Sequence, residues 1–215
     1  MNWGFIPQDE MVMVNQLLDD LKTHDEATYS HCLRVSQLCR FLAEAAGLSP
    51  EQQTLAQFAG LLHDVGKTQT NGAVLNKPAR LNDNEFREMK QHPVASAELL
   101  EPLAENPFFR DVQSAVLHHH ERVDGNGYPN ALLGDQIPLI SRLILIVDTV
   151  DAMTQDRPYR KGLPMEVAYR ELERCAGTQF DAEFTEIFIA AHRQLHAIDQ
   201  FNKVLQLPGK VSEAA

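Results

Sequence analysis

Apolar side chains recur at helical intervals along almost the whole chain. Between residues 9 and 22, Met11, Val14, Leu17, Leu18 and Leu21 fall on one stripe of a 3.6-residue period. Between 25 and 46, Cys32, Val35, Leu38, Cys39 and Leu42 repeat the stripe, and Gly47 offers a stop. Ser49-Pro50-Glu51-Gln52 reads as a capped start with proline in the first turn, and that helix runs into His63. Residues 66–82 contain GK, NG and KP and read as loop. Asn82 with Glu85 opens the next helix, and Pro93 restarts or kinks the chain near His92. Asn106-Pro107 opens a helix carrying Val112, Ala115, Val116 and His119. After the turn-rich stretch VDGNGYPNALLGDQIP, Pro138 starts a helix reaching about Met153. Pro164 to Cys175 and Asp181 to about Leu205 give two more, with Gly177 between them. No segment alternates at the strand period and none repeats. The pattern predicts an all-α domain of roughly eight helices, with a frayed tail from Pro208.

Composition narrows the partners. The 215 residues are 44% hydrophobic and 23% charged, enough for one sizeable core. A net charge of -11 argues against a nucleic-acid polymer or an anionic membrane as the main partner. A local cluster of metal and arginine can still hold a small anion. Cys32, Cys39 and Cys175 are odd in number and lack CxxC spacing, so they read as reduced core thiols in a cytoplasmic protein. The opening MNWGFIPQDE has no basic region followed by an apolar one, and the most apolar run, LILIV, is too short for a bilayer.

The candidate chemistry lies in four places. His63-Asp64 in HDVGK puts an imidazole and a carboxylate, which can bridge two metals, at one helix end. Gly66 lets the chain leave that helix sharply, and Lys67 reaches toward an anionic substrate. Asp148 sits among Ile144, Leu145, Ile146, Val147 and Val150, so it needs a metal, a donor network or a salt bridge, with Arg142 the nearest cation in sequence. Asp151 lies one turn on, as a substrate-side group or a solvated one. His118, His119 and His120 would point about 100° apart on a helix, so two of them can reach a metal centre more easily than three. Arg157 and Arg160, in QDRPYR, are either phosphate forks or a surface turn.

These blocks together resemble one family. HDVGK, His92 in QHPVAS, HHERVDGNGYP, RLILIVDTVDAM, RPYR and FD match in order and spacing the HD-GYP phosphodiesterases, a subset of the HD metal-dependent phosphohydrolases. The match runs from about Ser30 to about Asp181. It implies an HD-domain helical bundle with additional C-terminal helices, a catalytic domain over 25–207, a helical extension over 1–24 and a tail over 208–215.

The resemblance also implies an activity, hydrolysis of cyclic di-GMP to linear pGpG and on to GMP. Its metal ligands would be His63, Asp64, His92, His119, His120 and Asp148, with His31 an optional further ligand. Asp64 and Lys67 would be catalytic, and Lys67, Tyr128, Asp151, Arg157 and Arg160 would face the substrate. The cofactors would be two divalent metal ions, iron or manganese, because Ala27 stands where three-metal members have a carboxylate. Val123 stands where the family usually has tryptophan, which weakens the expected support of the loop rather than of the metals. Two other readings fit the same residues. One is a phosphohydrolase for another nucleotide, such as cyclic GMP-AMP. The other is a poorly active module that binds a cyclic dinucleotide or docks a diguanylate cyclase (GGDEF) domain. The first helix packs on the core or pairs two subunits into a homodimer.

Overall fold

The computed structural model describes residues 6–156 and 161–205, with side chains described as far as 195. Its α-helices are α1 (Gln8–His24), α2 (Glu26–Ala45), α3 (Pro50–Leu62), α4 (Gly72–Leu75), α5 (Asp83–Met89), α6 (His92–Leu100), α7 (Pro107–Leu117), α8 (Leu139–Thr154), α9 (Met165–Cys175) and α10 (Ala182–Leu205). Among the described residues there is no strand, only isolated bridges between Asp124 and Leu133 and between Ala176 and Phe180. The all-α expectation therefore stands. The added element is α4, a single turn inside the stretch read as loop, started by the Asn71 side chain accepting from the Ala73 amide.

Local chemistry fixes the helix starts. Ser49 and Gln52 form a reciprocal capping box on α3, and Asn82 and Glu85 form another on α5. Asn106 caps α7 ahead of Pro107. Asp25 caps α2 through the Thr28 amide and hydroxyl, which ties the start of that helix beside the later cleft. Gly47 ends α2 at φ +69°.

The core is built around α2, α3 and α8. Cys32, Val35, Cys39 and Leu42 of α2 meet Ala56, Ala59 and Leu62 of α3, all fully buried. At Gly60 an added Cβ would lie 2.8 Å from the Cys39 sulfur, so glycine sets how closely these two helices approach. Leu143, Ile144, Ile146 and Val147 of α8 are also fully buried, each stabilising the fold by about 1.5–3 kcal/mol. That apolar packing leaves the Asp148 side of α8 facing α2 and α3. Val14 and Leu21 of α1 are buried in the same core, while Val12 is 63% exposed. No described helix is long and apolar enough to cross a membrane.

Candidate metal centre and active site

The site begins where α3 ends. His63 is its C-cap, and Asp64 leads into a 3-10 turn over Val65–Gln69. The Ser96 hydroxyl on α6 donates to the His63 carbonyl at 2.8 Å and accepts from the Gly66 amide at 2.8 Å. A Cβ on Gly66 would lie 2.3 Å from the Ser96 nitrogen and 2.4 Å from the His92 carbonyl oxygen. Glycine is needed there because α6 lies against it. Gly66 is absent from the positive-φ glycines, so the sequence argument from a sharp exit named the right residue for the wrong reason. The contact sets His92, the first residue of α6, beside Asp64.

The three consecutive histidines are not on a helix. α7 ends at Leu117, and His118 is its C-cap, so the 100° argument does not apply to them. His119 and His120 turn inward, while His118 Nδ1–H donates to the Ser114 carbonyl outside the cluster. On α8, Asp148 faces His31, whose Nε2 lies 3.1 Å from Asp148 Oδ1. Arg142 pairs instead with Asp181 and Asp135, so it does not neutralise Asp148.

These residues form two nests that meet at Asp64. His31, His63 and Asp64 offer ligand atoms within 4.8 Å of one another, and so do His92, His119 and His120. Asp64 Oδ1 is 3.2 Å from His92 Nε2, while Asp64 Oδ2 is 3.4 Å from His63 Nε2 and 3.7 Å from His31 Nε2. His63, Asp64, His92 and His119 are buried.

The donor chemistry fits cations. His63, His92 and His119 each give Nδ1–H to a backbone carbonyl, of Gly60, Met89 and Val116 respectively. Each Nε2 is then an unprotonated lone pair. Yet His92 Nε2 lies 3.1 Å from both His119 Nε2 and His120 Nε2. The facing lone pairs of His92 and His119 repel unless a positive ion lies between them. His63 Nε2 and Asp64 Oδ1 are buried with no hydrogen-bond partner, a costly arrangement in an interior without a cation.

The electrostatics agree. Burial pulls His92 and His120 down to about 3 and also lowers His63 and His119, so all four imidazoles are neutral. Burial alone would raise Asp64, but the Lys67 ammonium and the charged His31 beside it hold it well below the usual carboxylate range. Asp148 is likewise held low against burial by the His31 hydrogen bond. His31 is the exception. Burial lowers it, but hydrogen bonds to Asp148 and Asp151 outweigh that and raise it to about 9.

Beside the nests opens a cleft of about 430 Å³, lined by Lys67, Tyr128, Asp148 and the 74–81 segment. Ala27 is on its wall. Lys67 donates to Asp64 Oδ2 at 2.5 Å. The Tyr128 ring stacks on His120 with centroids 4.8 Å apart and planes 28° apart. Asp151 also borders the cleft but is 3% exposed, its carboxylate held by the Arg34 guanidinium at 2.7 and 2.9 Å and by His31 Nδ1 at 2.7 Å. Both oxygens are engaged, which places Asp151 as the orienter of His31. Arg157 and Arg160 lie outside the described residues.

Sequence reasoning missed three residues. Arg34 sits one turn after His31, and Ser96 one turn after His92. Glu121 follows the histidines directly and is 1% exposed. Its Oε1 accepts from the Asn130 amide at 2.6 Å and its Oε2 from the Leu132 amide at 3.1 Å. The loop holding Tyr128 is thus folded around a buried carboxylate. Hydrogen bonds from the Val123 and Asp124 amides to Gln179 and Thr178 add to it, with valine at position 123.

The chain is similar to known proteins. An HD-domain profile matches residues 13–184. The chain is 33% identical over 205 residues to the cyclic di-GMP phosphodiesterase response regulator RpfG of Xanthomonas campestris pv. campestris, covering 95% of this chain and 54% of that protein. It is 40% identical over 171 residues to the cyclic di-GMP phosphodiesterase PA4108 of Pseudomonas aeruginosa, covering 80% of this chain and 41% of that protein. The chain thus spans about half the length of these curated relatives. The crystal structure of V-cGAP3, a cyclic GMP-AMP specific phosphodiesterase of Vibrio cholerae, superposes with a TM-score of 0.64 at 19% identity, over 92% of this chain and 53% of that one. That likeness establishes the fold alone. With His63-Asp64 at the junction of the two nests and the Gly127-Tyr128-Pro129 block beside them, the chain belongs to the HD-domain family, in its HD-GYP branch.

Proposed function

We propose that this chain is a metal-dependent phosphodiesterase that hydrolyses cyclic di-GMP to linear pGpG and then GMP. The observation that carries the reading is the pair of ligand nests sharing Asp64, with buried imidazole lone pairs turned toward one another. His63, His92, His119, His120 and Asp148, with Asp64 between the nests, would hold two divalent ions, and His31 would complete the set. Mixed nitrogen and oxygen donors suit iron or manganese. When bound, such ions polarise phosphoryl oxygens and acidify an attacking water.

The chain's own residues do the rest. Asp64 stays ionised and offers an oxygen to each nest. Lys67 stays protonated and mostly buried, with its ammonium at the cleft, where it stabilises charge developing on a phosphoryl oxygen. Asp151 and Arg34 hold the His31 ring in place. Tyr128, its phenol kept protonated by burial, walls the cleft opposite. Asp151 acts through His31 rather than on the substrate, and Arg157 and Arg160 are assigned to the substrate phosphates from sequence alone.

A second reading, cyclic GMP-AMP as substrate, is favoured by a 3'3'-cGAMP-specific phosphodiesterase of Vibrio cholerae that is 33% identical over 193 residues. Incubating metal-loaded protein with each cyclic dinucleotide and chromatographing the products tests both. Conversion of cyclic di-GMP to pGpG supports the first reading, conversion of cyclic GMP-AMP alone the second, and no conversion of either removes both. The partners we assign are this nucleotide, a GGDEF domain at the Tyr128 loop, and a second subunit through the exposed Val12 and Met13 of α1. The three free cysteines, all buried, suit the cytoplasm.

A further inference from the structure

A line of contacts leads outward from His120 and ends in an ammonium that has no counter-ion among the described residues. The His120 ring stacks on Tyr128. The Lys90 ammonium lies 5.8 Å from the Tyr128 ring centroid and 5.1 Å from that of Phe86. Phe86 in α5 and Lys90, its C-cap, are four residues apart, on one helix face. Phe86 is 51% exposed, unusual for a large apolar ring. Met89 and Tyr128, beside Lys90, both line the cleft.

The cations that line the cleft itself are matched by carboxylates: Lys67 by Asp64, Arg34 by Asp151 and Lys77 by Glu85. Among the described residues Lys90 has no carboxylate partner. Two aromatic faces hold it in position without neutralising it. In a chain of net charge -11, a cation fixed this way is a local attractor for an anion. The exposed ring beside it offers a face on which a base can stack.

We infer that Lys90, Phe86 and Tyr128 form a subsite for the distal nucleotide of a cyclic dinucleotide: Lys90 takes the phosphate that is not at the metals, and Phe86 takes a purine. The inference rests on the reading of the site as one for cyclic dinucleotides. It deepens that reading by assigning substrate-discriminating residues outside the ligand nests.

The test uses the full chain loaded with manganese, in wild-type form and as Lys90→Ala, Lys90→Arg and Phe86→Ala. Metal per chain serves as the control for folding. Equilibrium dialysis against cyclic di-GMP and against cyclic GMP-AMP measures binding, and steady-state kinetics gives kcat and KM separately. Lys90→Ala is expected to weaken binding and raise KM about tenfold with kcat within about twofold, Lys90→Arg to restore most of it, and Phe86→Ala to raise KM about fivefold. Wild-type affinity in Lys90→Ala at full metal content overturns the inference, as does a loss confined to kcat. Wild-type protein that binds a cyclic dinucleotide without turning it over removes the phosphodiesterase reading, yet a weakened Lys90→Ala would still uphold the subsite. Wild-type protein that binds neither nucleotide overturns both.

Discussion

His92 Nε2 and His119 Nε2 lie 3.1 Å apart while the opposite nitrogen of each ring is committed to a backbone carbonyl, of Met89 and of Val116. Two unprotonated nitrogens so close are stable only around a cation. Stripping the metals with a chelator is therefore expected to destabilise the fold. Reloading at about a hundred times Kd should return about 2.7 kcal/mol, seen as a rise of several degrees in Tm. A Tm unmoved by manganese, iron or zinc would count against the reading.

Gly66 gives a backbone test of how the site is held. Gly66→Ala drives a Cβ into the Ser96 nitrogen and the His92 carbonyl, so α6 has to shift and carry His92 with it. We expect a loss of about 1–3 kcal/mol in urea unfolding together with weaker metal binding. Gly72→Ala is the comparison, since nothing lies within 4 Å of a Cβ there and it should leave both nearly unchanged.

Glu121 pins the Tyr128 loop. Removing its carboxylate in Glu121→Ala leaves the Asn130 and Leu132 amides without acceptors, at a cost of about 1–3 kcal/mol. Hydrogen exchange should speed up over 127–132 with metal content retained, and turnover should fall. Unchanged exchange at those amides would show that the Val123–Gln179 and Asp124–Thr178 bonds alone hold the loop.

Acid and base act on the metal-free protein from opposite sides. His92 and His120, pulled down to about 3 from an ordinary value near 6.5, contribute stability that is full above about pH 6.5 and fades as pH falls toward 3. Asp64 and Asp148, also depressed, add to that acid loss below the ordinary carboxylate range. His31, raised to about 9, works the other way, its contribution present below about pH 6.5 and lost as pH rises through 9. Tm of the metal-free protein should peak near pH 6.5. An absence of decline between about pH 7 and 9 would contradict the charged His31 held between Asp148 and Asp151.

Much of this was legible in the chain, for identifiable reasons. Capping chemistry is local, so Ser49 with Gln52 and Asn82 with Glu85 announced α3 and α5. Asp148 stood out because a carboxylate amid isoleucine and valine has to find a partner. What escaped depends on contacts far apart in sequence. Arg34 meets Asp151 across 117 positions, and no local pattern encodes that. Without it the hold of Asp151 on the His31 ring could not be seen. Glu121 looked like a neighbour of the histidines, because its partners are amides of a loop whose fold back onto it is not a periodic signal. His119 was assigned to a helix because the apolar period of α7 runs up to Val116, while the chain turns at His118.

The account stands on Asp64 joining two cation sites, and elemental analysis of metal per chain tests that most directly. Wild-type protein purified without oxygen should carry two divalent ions per chain, and Asp64→Ala should lose both along with at least about a thousandfold of its turnover, whereas Lys67→Ala should keep its ions and lose about a hundredfold. Wild-type protein that holds no ion after loading, or an Asp64→Ala variant with its full complement, would contradict it.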